Sequence, residues 1–204
     1  MKNIILGITG SVAAIKSLEL SKKLLNFGNV KIILTKNAEY FVKNYFKDFK
    51  NLEIEIYGDQ DEWPQIKNKY DIECSILHIA MRRWADVLIV APLGANTMAK
   101  IVNGYCDNLL TSTIRAWEWP KPIFLSPAMN TLMWNNCPTQ DHIQILKDRG
   151  FLIIDPISKN LACKDIGMGA MAEIESIIKI IDIYFSTSSA GAKKSFILQK
   201  SGKL

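Results

Sequence analysis

The chain has 204 residues, 49% of them hydrophobic and 22% charged, enough for one well-buried domain and too few for two comfortable ones. A net charge of +5 comes from scattered Lys and Arg with no basic stripe interleaved with aromatics, which argues against a nucleic-acid surface and suits a small anionic ligand such as a phosphate ester. No apolar run reaches membrane-spanning length, because Glu, Lys, Asn or Asp interrupts each one.

Lys2 to Thr9 is rich in Ile and alternates little, as a strand buried on both faces does. Ser11 to Phe27 follows with Val12, Ile15, Leu18, Leu24 and Leu25 at helical spacing, completing a first βα unit. Val30 to Thr35 reads as a second strand, Ala38 to Phe46 as a helix, and Leu52 to Tyr57 as a shorter strand. Gly58 to Asp71 is polar and reads as irregular, and His78 lies in an apolar run read as strand. Asp86 to Pro92 is again a buried strand, Ala95 to Asn103 and Asp107 to Trp117 are helical, and Pro122 to Ser126 is the next strand. Thr139 to Arg149 is a helix stopped by Gly150, followed by the strand Phe151 to Asp155. Asn160 to Met171 reads as a glycine-containing loop, and Ala172 to Phe185 as a last helix. The repeated βα order predicts an α/β fold: a single-domain, Rossmann-like three-layer α/β/α sandwich around an open parallel sheet. Residues 1–185 form the expected domain, and 186–204, with its lysines and Ser-Thr-Ser-Ser-Ala-Gly run, a loosely held tail.

Cys74, Cys106, Cys137 and Cys163 are widely spaced without a Cys-x-x-Cys pair, and no signal-like segment opens the chain, so a reducing cytoplasm is expected. Cys74 and His78 have a spacing that suits metal ligands, but His142 belongs to another predicted element and no metal site is expected.

Three predicted strand ends carry polar, uncharged chemistry. The first delivers Gly7-Ile8-Thr9-Gly10-Ser11-Val12-Ala13 into a helix, where backbone N–H groups and two hydroxyls make a phosphate cradle or, more simply, cap the helix. It is not the Gly-x-Gly-x-x-Gly fingerprint, and the second strand ends in Thr35-Lys36-Asn37 without the acid that holds an NAD ribose, which favours a mononucleotide. The second end is Leu93-Gly94-Ala95-Asn96-Thr97. The third is Pro127-Ala128-Met129-Asn130-Thr131-Leu132-Met133-Trp134, either a turn whose Met and Trp only pack or a ligand site with a neutral amide where a parallel strand runs out. Together the three describe a lining suited to a flavin's phosphate, ribityl chain and ring edge.

These segments, with Leu77-His78-Ile79, Arg82-Arg83-Trp84-Ala85-Asp86, Cys106-Asp107-Asn108-Leu109-Leu110-Thr111 and Leu161-Ala162-Cys163, closely resemble the homo-oligomeric flavin-containing cysteine decarboxylases, over residues 2 to 185. The resemblance implies FMN as cofactor and decarboxylation of 4′-phosphopantothenoylcysteine to 4′-phosphopantetheine in coenzyme A biosynthesis, by a homotrimer with active sites between protomers. It places FMN against Gly10, Ser11, Val12, Lys36, Asn37, Ala38, Phe41, Gly94, Ala95, Asn96, Thr97 and Ala128. It makes His78 the acid/base residue, Asn130 the ligand of the substrate carboxylate and Cys163 a proton donor on a flap. Met133 and Trp134 would shape the pocket, and Arg83 and Lys16 would meet the substrate phosphate. Two residues depart from the pattern: Lys164 stands where the family usually has Gly, and Gly94 replaces the usual Ser, deleting one potential flavin hydrogen bond. A phosphatase-regulating flavin-binding relative, a decarboxylase of another cysteine-containing substrate and an NADPH reductase are the alternative readings.

Overall fold

The structure is a computed structural model and describes residues 1–62, 76–160 and 166–189. The strands are β1 (Lys2–Ile8), β2 (Gly28–Leu34), β3 (Glu55–Tyr57), β4 (Val87–Leu93), β5 (Ile123–Pro127), β6 (Leu152–Ile153), β7 (Ile157–Asn160) and β8 (Ile166–Ala170). The helices are α1 (Ser17–Leu24), α2 (Lys36–Val42), α3 (Phe46–Asn51), α4 (Asp59–Glu62), α5 (Leu77–Trp84), α6 (Ala95–Asn103), α7 (Leu109–Arg115), α8 (Thr131–Trp134), α9 (Cys137–Asp148) and α10 (Ile174–Ser189). The first six strands form one parallel sheet in the order β3-β2-β1-β4-β5-β6, and β7 and β8 pair antiparallel.

Period-two alternation divides the core between two faces. Ile4, Leu6 and Ile8 of β1 join Ile32, Val87, Ile89 and Phe124 in the layer that α1 and α10 cover with Leu20, Leu24, Ile177 and Ile181. Ile5, Leu88, Val90, Ile123 and Leu125 point the other way, against Met98, Leu110, Ile114 and Leu146 of α6, α7 and α9. This is the expected three-layer sandwich, and each fully buried Ile or Leu contributes on the order of 2 kcal/mol. The chain reverses its direction of travel across the sheet between β1 and β4, which pair from Ile4↔Val87 to Gly7↔Val90. Connections leaving these two strands diverge, so a crevice opens at their carboxyl ends.

Several elements differ from the sequence expectation: α4 occupies the start of the stretch read as irregular from Gly58, and the helix expected over Ala38 to Phe46 stops at Val42, with a 3₁₀ turn over Lys43–Tyr45 leading into α3. His78 lies near the start of helix α5, not in a strand; Leu77, Met81 and Trp84 recur at helical spacing and pack towards the α6–α7 layer. The segment after Ser11 begins as a 3₁₀ turn over Val12–Lys16 and becomes α-helical only at Ser17. The strand expected over Leu52 to Tyr57 shortens to Glu55–Tyr57 because Leu52 and Glu53 still donate to carbonyls of α3 and Glu53 takes φ 56°. The loop expected from Asn160 contains β8, whose Gly169 at φ 133° lies so near Met129 that a Cβ would sit 2.4 Å from its carbonyl oxygen. Residues 161–165 and 190–204 lie outside the described residues, and α10 runs on to Ser189.

Candidate active site

At the β1/β4 crevice lies a cleft of about 470 Å³. Thr9, Gly10 and Ser11 of the first turn, Thr35, Lys36 and Asn37 at the start of α2, Gly94, Ala95, Asn96 and Thr97 at the start of α6, and Ala128, Met129 and Met133 after β5 line it. Asp59, Lys100, Asp107 and Asn108 complete the wall. The three polar strand ends thus meet in one place. Their distance along the chain disappears because parallel strands present all their carboxyl ends on the same side of the sheet.

The two hydroxyls of the first turn have different jobs, Thr9 a cross-strand stitch and Ser11 the cap that was one of its two expected readings. Thr9 is buried; its Oγ1 donates to the Pro92 carbonyl at 2.8 Å and accepts the Gly94 N–H at 2.8 Å, stitching the first turn to the β4–α6 turn. Ser11 Oγ accepts the Ala13 N–H at 3.3 Å, so the hydroxyl caps the 3₁₀ turn from the cleft wall. Thr9→Val should leave the Gly94 N–H without that acceptor and lower stability by about 2 kcal/mol, read from denaturant midpoints at constant m. Gly94 itself suits the stitch, since a Cβ there would lie 3.3 Å from Thr9 Oγ1, tighter than an ordinary contact.

Gly10 has a steric reason to be glycine. A Cβ there would stand 2.6 Å from Asn37 Cβ, so the missing side chain lets the first turn and the start of α2 close on each other. Gly10→Ala should push these two walls apart, cost about 1–3 kcal/mol of stability and strip bound flavin, measured as the visible-to-ultraviolet absorbance ratio of the purified protein.

Charge is arranged on the rim. Lys100 is tied to Asp107 at 2.5 Å, Asp59 Oδ1 accepts the Leu109 N–H at 3.0 Å, and Lys36 stands exposed at the first turn of α2. The interior wall is made of backbone, amide, hydroxyl, methyl and thioether groups. This set fits a flavin mononucleotide: backbone can approach a phosphate closely at Gly10, Asn37 and Asn96 present amides, and the two Met side chains offer a polarisable surface to a flat ring.

Other expected site residues lie around the cleft rather than in its wall. Val12 is exposed on the 3₁₀ turn, Ala38 is buried with its N–H on Thr35 O at 2.8 Å, and Phe41 packs on the core from α2. Asn130 caps α8, its Oδ1 accepting the Leu132 N–H at 2.8 Å between the cleft residues Met129 and Met133. Trp134 packs on the core beside it. Lys16 pairs with Glu173 at 3.0 Å, and Glu173 also holds Lys159 at 3.0 Å; the two ammonium groups, Lys16 first, hold that carboxyl below its ordinary range. Arg83 is exposed on α5. His78 lies half-buried on α5, bound to Glu62 of α4, and Cys163 falls outside the described residues.

Asp59, Lys100, Asp107 and Asn108 were not expected in the site. Asn108 had a readable signal, an Asn three residues before Thr111 at a helix start, and its Oδ1 accepts the Thr111 N–H at 2.9 Å. Asp59 and Lys100 carried none.

The sequence pattern of the family described as Flavoprotein matches residues 1–186. The "Phosphopantothenoylcysteine decarboxylase" of Arabidopsis thaliana is 44% identical over 186 residues, which are 91% of this chain and 86% of that protein. The "Probable thymidylate synthase" of Schizosaccharomyces pombe is 50% identical over 182 residues, 86% of this chain but only 28% of that longer protein. Among solved structures, a PPC decarboxylase mutant complexed with pantothenoylaminoethenethiol superposes with a TM-score of 0.83 at 44% identity, covering 91% of this chain and 98% of that one. "The FMN binding protein AtHal3" does so at 0.80 and 44%, covering 91% and 97%.

Proposed function

The chain belongs to the flavoprotein family that includes the phosphopantothenoylcysteine decarboxylases, and from that premise we propose that it uses FMN to convert 4′-phosphopantothenoylcysteine to 4′-phosphopantetheine and carbon dioxide. The observation that carries this reading is the meeting of Gly10, Gly94 and Ala128 in one cleft at the sheet's switch point, among amide, hydroxyl and thioether groups.

Losing carbon dioxide from a cysteine leaves an electron pair at Cα, and only an oxidised neighbour such as a thiocarbonyl carbon can accept it. Bound FMN supplies a reversible two-electron acceptor for that purpose. The remaining work falls to side chains. Asn130, fixed as the cap of α8, holds the substrate carboxylate through a neutral amide; an Arg clamp would stabilise the very charge that must be lost. His78 exchanges the proton of the reacting cysteine, since a neutral imidazole carries one donor and one acceptor nitrogen. Cys163 returns a proton so that the product leaves as a saturated thiol. Met133 shapes the pocket, and Arg83 takes the substrate phosphate. Lys16 is a weaker candidate for that phosphate because Glu173 already engages it.

A homotrimer fits this reading. Val12 and Ile15 beside the first turn are 47% and 49% exposed, and Leu132 and Met133 on α8 are 77% and 48% exposed, apolar surface that a second copy would cover. His78 stands outside the cleft wall of its own chain, which suits sites shared between protomers. Among the described residues no helix is long and apolar enough to cross a membrane. We place the protein in the cytoplasm because its four cysteines are widely spaced without a Cys-x-x-Cys pair, as in a reducing compartment.

The test is anaerobic incubation of the flavin-loaded protein with 4′-phosphopantothenoylcysteine, following the flavin spectrum and product mass together. Saturated 4′-phosphopantetheine with the flavin reoxidised is the expected result. A bound flavin with no loss of carbon dioxide would overturn the decarboxylase reading in favour of a flavin-binding regulator or another thiol substrate.

A further inference from the structure

Glu62 is a buried acid for which the reaction above has no use. It ends α4, and its side chain is only 6% exposed, whereas the neighbouring Asp61 is exposed and caps the turn by accepting the Gly58 N–H at 2.7 Å. A buried carboxylate needs committed partners. Among the described residues both of its oxygens go to one residue: Oε2 accepts the backbone N–H of His78 at 3.1 Å, and Oε1 is hydrogen-bonded to Nδ1 of the same imidazole.

We propose that Glu62 is the positioning residue for His78, keeping a proton on Nδ1 so that Nε2 is the nitrogen that exchanges protons. This rests on His78 being the acid/base residue of the proposed function. The backbone N–H fixes the carboxylate, and the carboxylate, able only to accept, requires a donor at Nδ1. The ring is thereby held in one orientation and one tautomer. The support is rigid, because Asp59 at the other end of α4 is bound to the start of α7, on which α5 also packs. The imidazole keeps 23% of its surface open, so its far edge has access to a partner that Glu62 lacks.

A cap of α5 would need only the backbone bond. Substitution by Gln separates the two roles. The backbone N–H of His78 can only donate, so the Gln carbonyl must take it, which turns the NH₂ towards Nδ1 and demands a lone pair there. Glu62→Gln therefore keeps the cap and inverts the tautomer.

The experiment is ¹⁵N NMR of the imidazole in the flavin-loaded protein carrying His142→Asn, which leaves His78 as the sole histidine of the two. Expected are a protonated Nδ1 and an unprotonated Nε2 with Glu62 in place, the reverse in Glu62→Gln, and a kcat about 100-fold lower in that variant with KM within about threefold. An unprotonated Nδ1 with Glu62 in place would overturn the proposal, and this reading needs no variant of Glu62 to fold. So would a Glu62→Gln protein that keeps both tautomer and turnover. Wild-type turnover in His78→Asn would instead sink the acid/base reading while leaving the tautomer result untouched.

Discussion

Asn130→Asp should lose at least a hundredfold in kcat/KM for 4′-phosphopantothenoylcysteine while melting close to the unsubstituted protein. The two side chains are nearly isosteric, and an Asp carboxylate accepts the Leu132 N–H as well as the Asn carbonyl now does at 2.8 Å. A negative charge at the start of a helix is also favourable, so the change in folding free energy should stay below about 1 kcal/mol. Against the substrate the effect reverses. Where Asn130 offers donors, the substituted side chain would present a second carboxylate to the substrate carboxylate, and a like-charge contact in a partly desolvated cleft costs about 3 kcal/mol, or more than a hundredfold. Kinetics and a thermal melt on the same flavin-loaded preparation check it. Activity within tenfold of the unsubstituted protein would remove Asn130 from carboxylate binding and leave it as a cap.

Cys163→Ser should change what the enzyme makes rather than whether it releases carbon dioxide. In the proposed reaction decarboxylation of the oxidised substrate precedes the step that needs a proton donor, so carbon dioxide should still appear. A hydroxyl is a far weaker acid than a thiol, whose ordinary pKa is about 8.5. The enethiol should then accumulate, lighter than 4′-phosphopantetheine by one H₂, with the flavin left reduced under anaerobic conditions. Mass spectrometry of the product with a simultaneous flavin spectrum decides it. Saturated thiol in normal yield would sink the proton-donor assignment.

The three-layer fold and the three polar strand ends were legible in the chain itself. Runs such as Ile4 to Ile8 and Val87 to Leu93 are apolar on both faces, a pattern that only a covered parallel sheet accommodates, and each ends in Gly, Ser, Thr or Asn. Periodicity is a local property: it gives α6 to its observed bounds, whereas the short apolar run around His78 reads as strand and folds as helix. The motif at Ala128 to Met133 announced a site because an amide and two thioethers at a strand end have little use in a core.

Tertiary structure alone decided which of these groups face the cleft and which are consumed in building it. The Thr9 hydroxyl looked available for a phosphate, but it spans 85 residues of sequence to the Gly94 N–H and is buried there. Glu62 sits in the run Asp-Gln-Asp-Glu with nothing to mark it from its neighbours, and only the packing of α4 beside α5 brings it to His78, 16 residues on. Asp59, Lys100 and Asp107 enter the rim for the same reason. Hydrophobic spacing along a chain records which face of an element is buried, and so determines layers and strand ends. Hydrogen-bond partners are chosen after those layers have packed, by distances in space that the spacing does not encode.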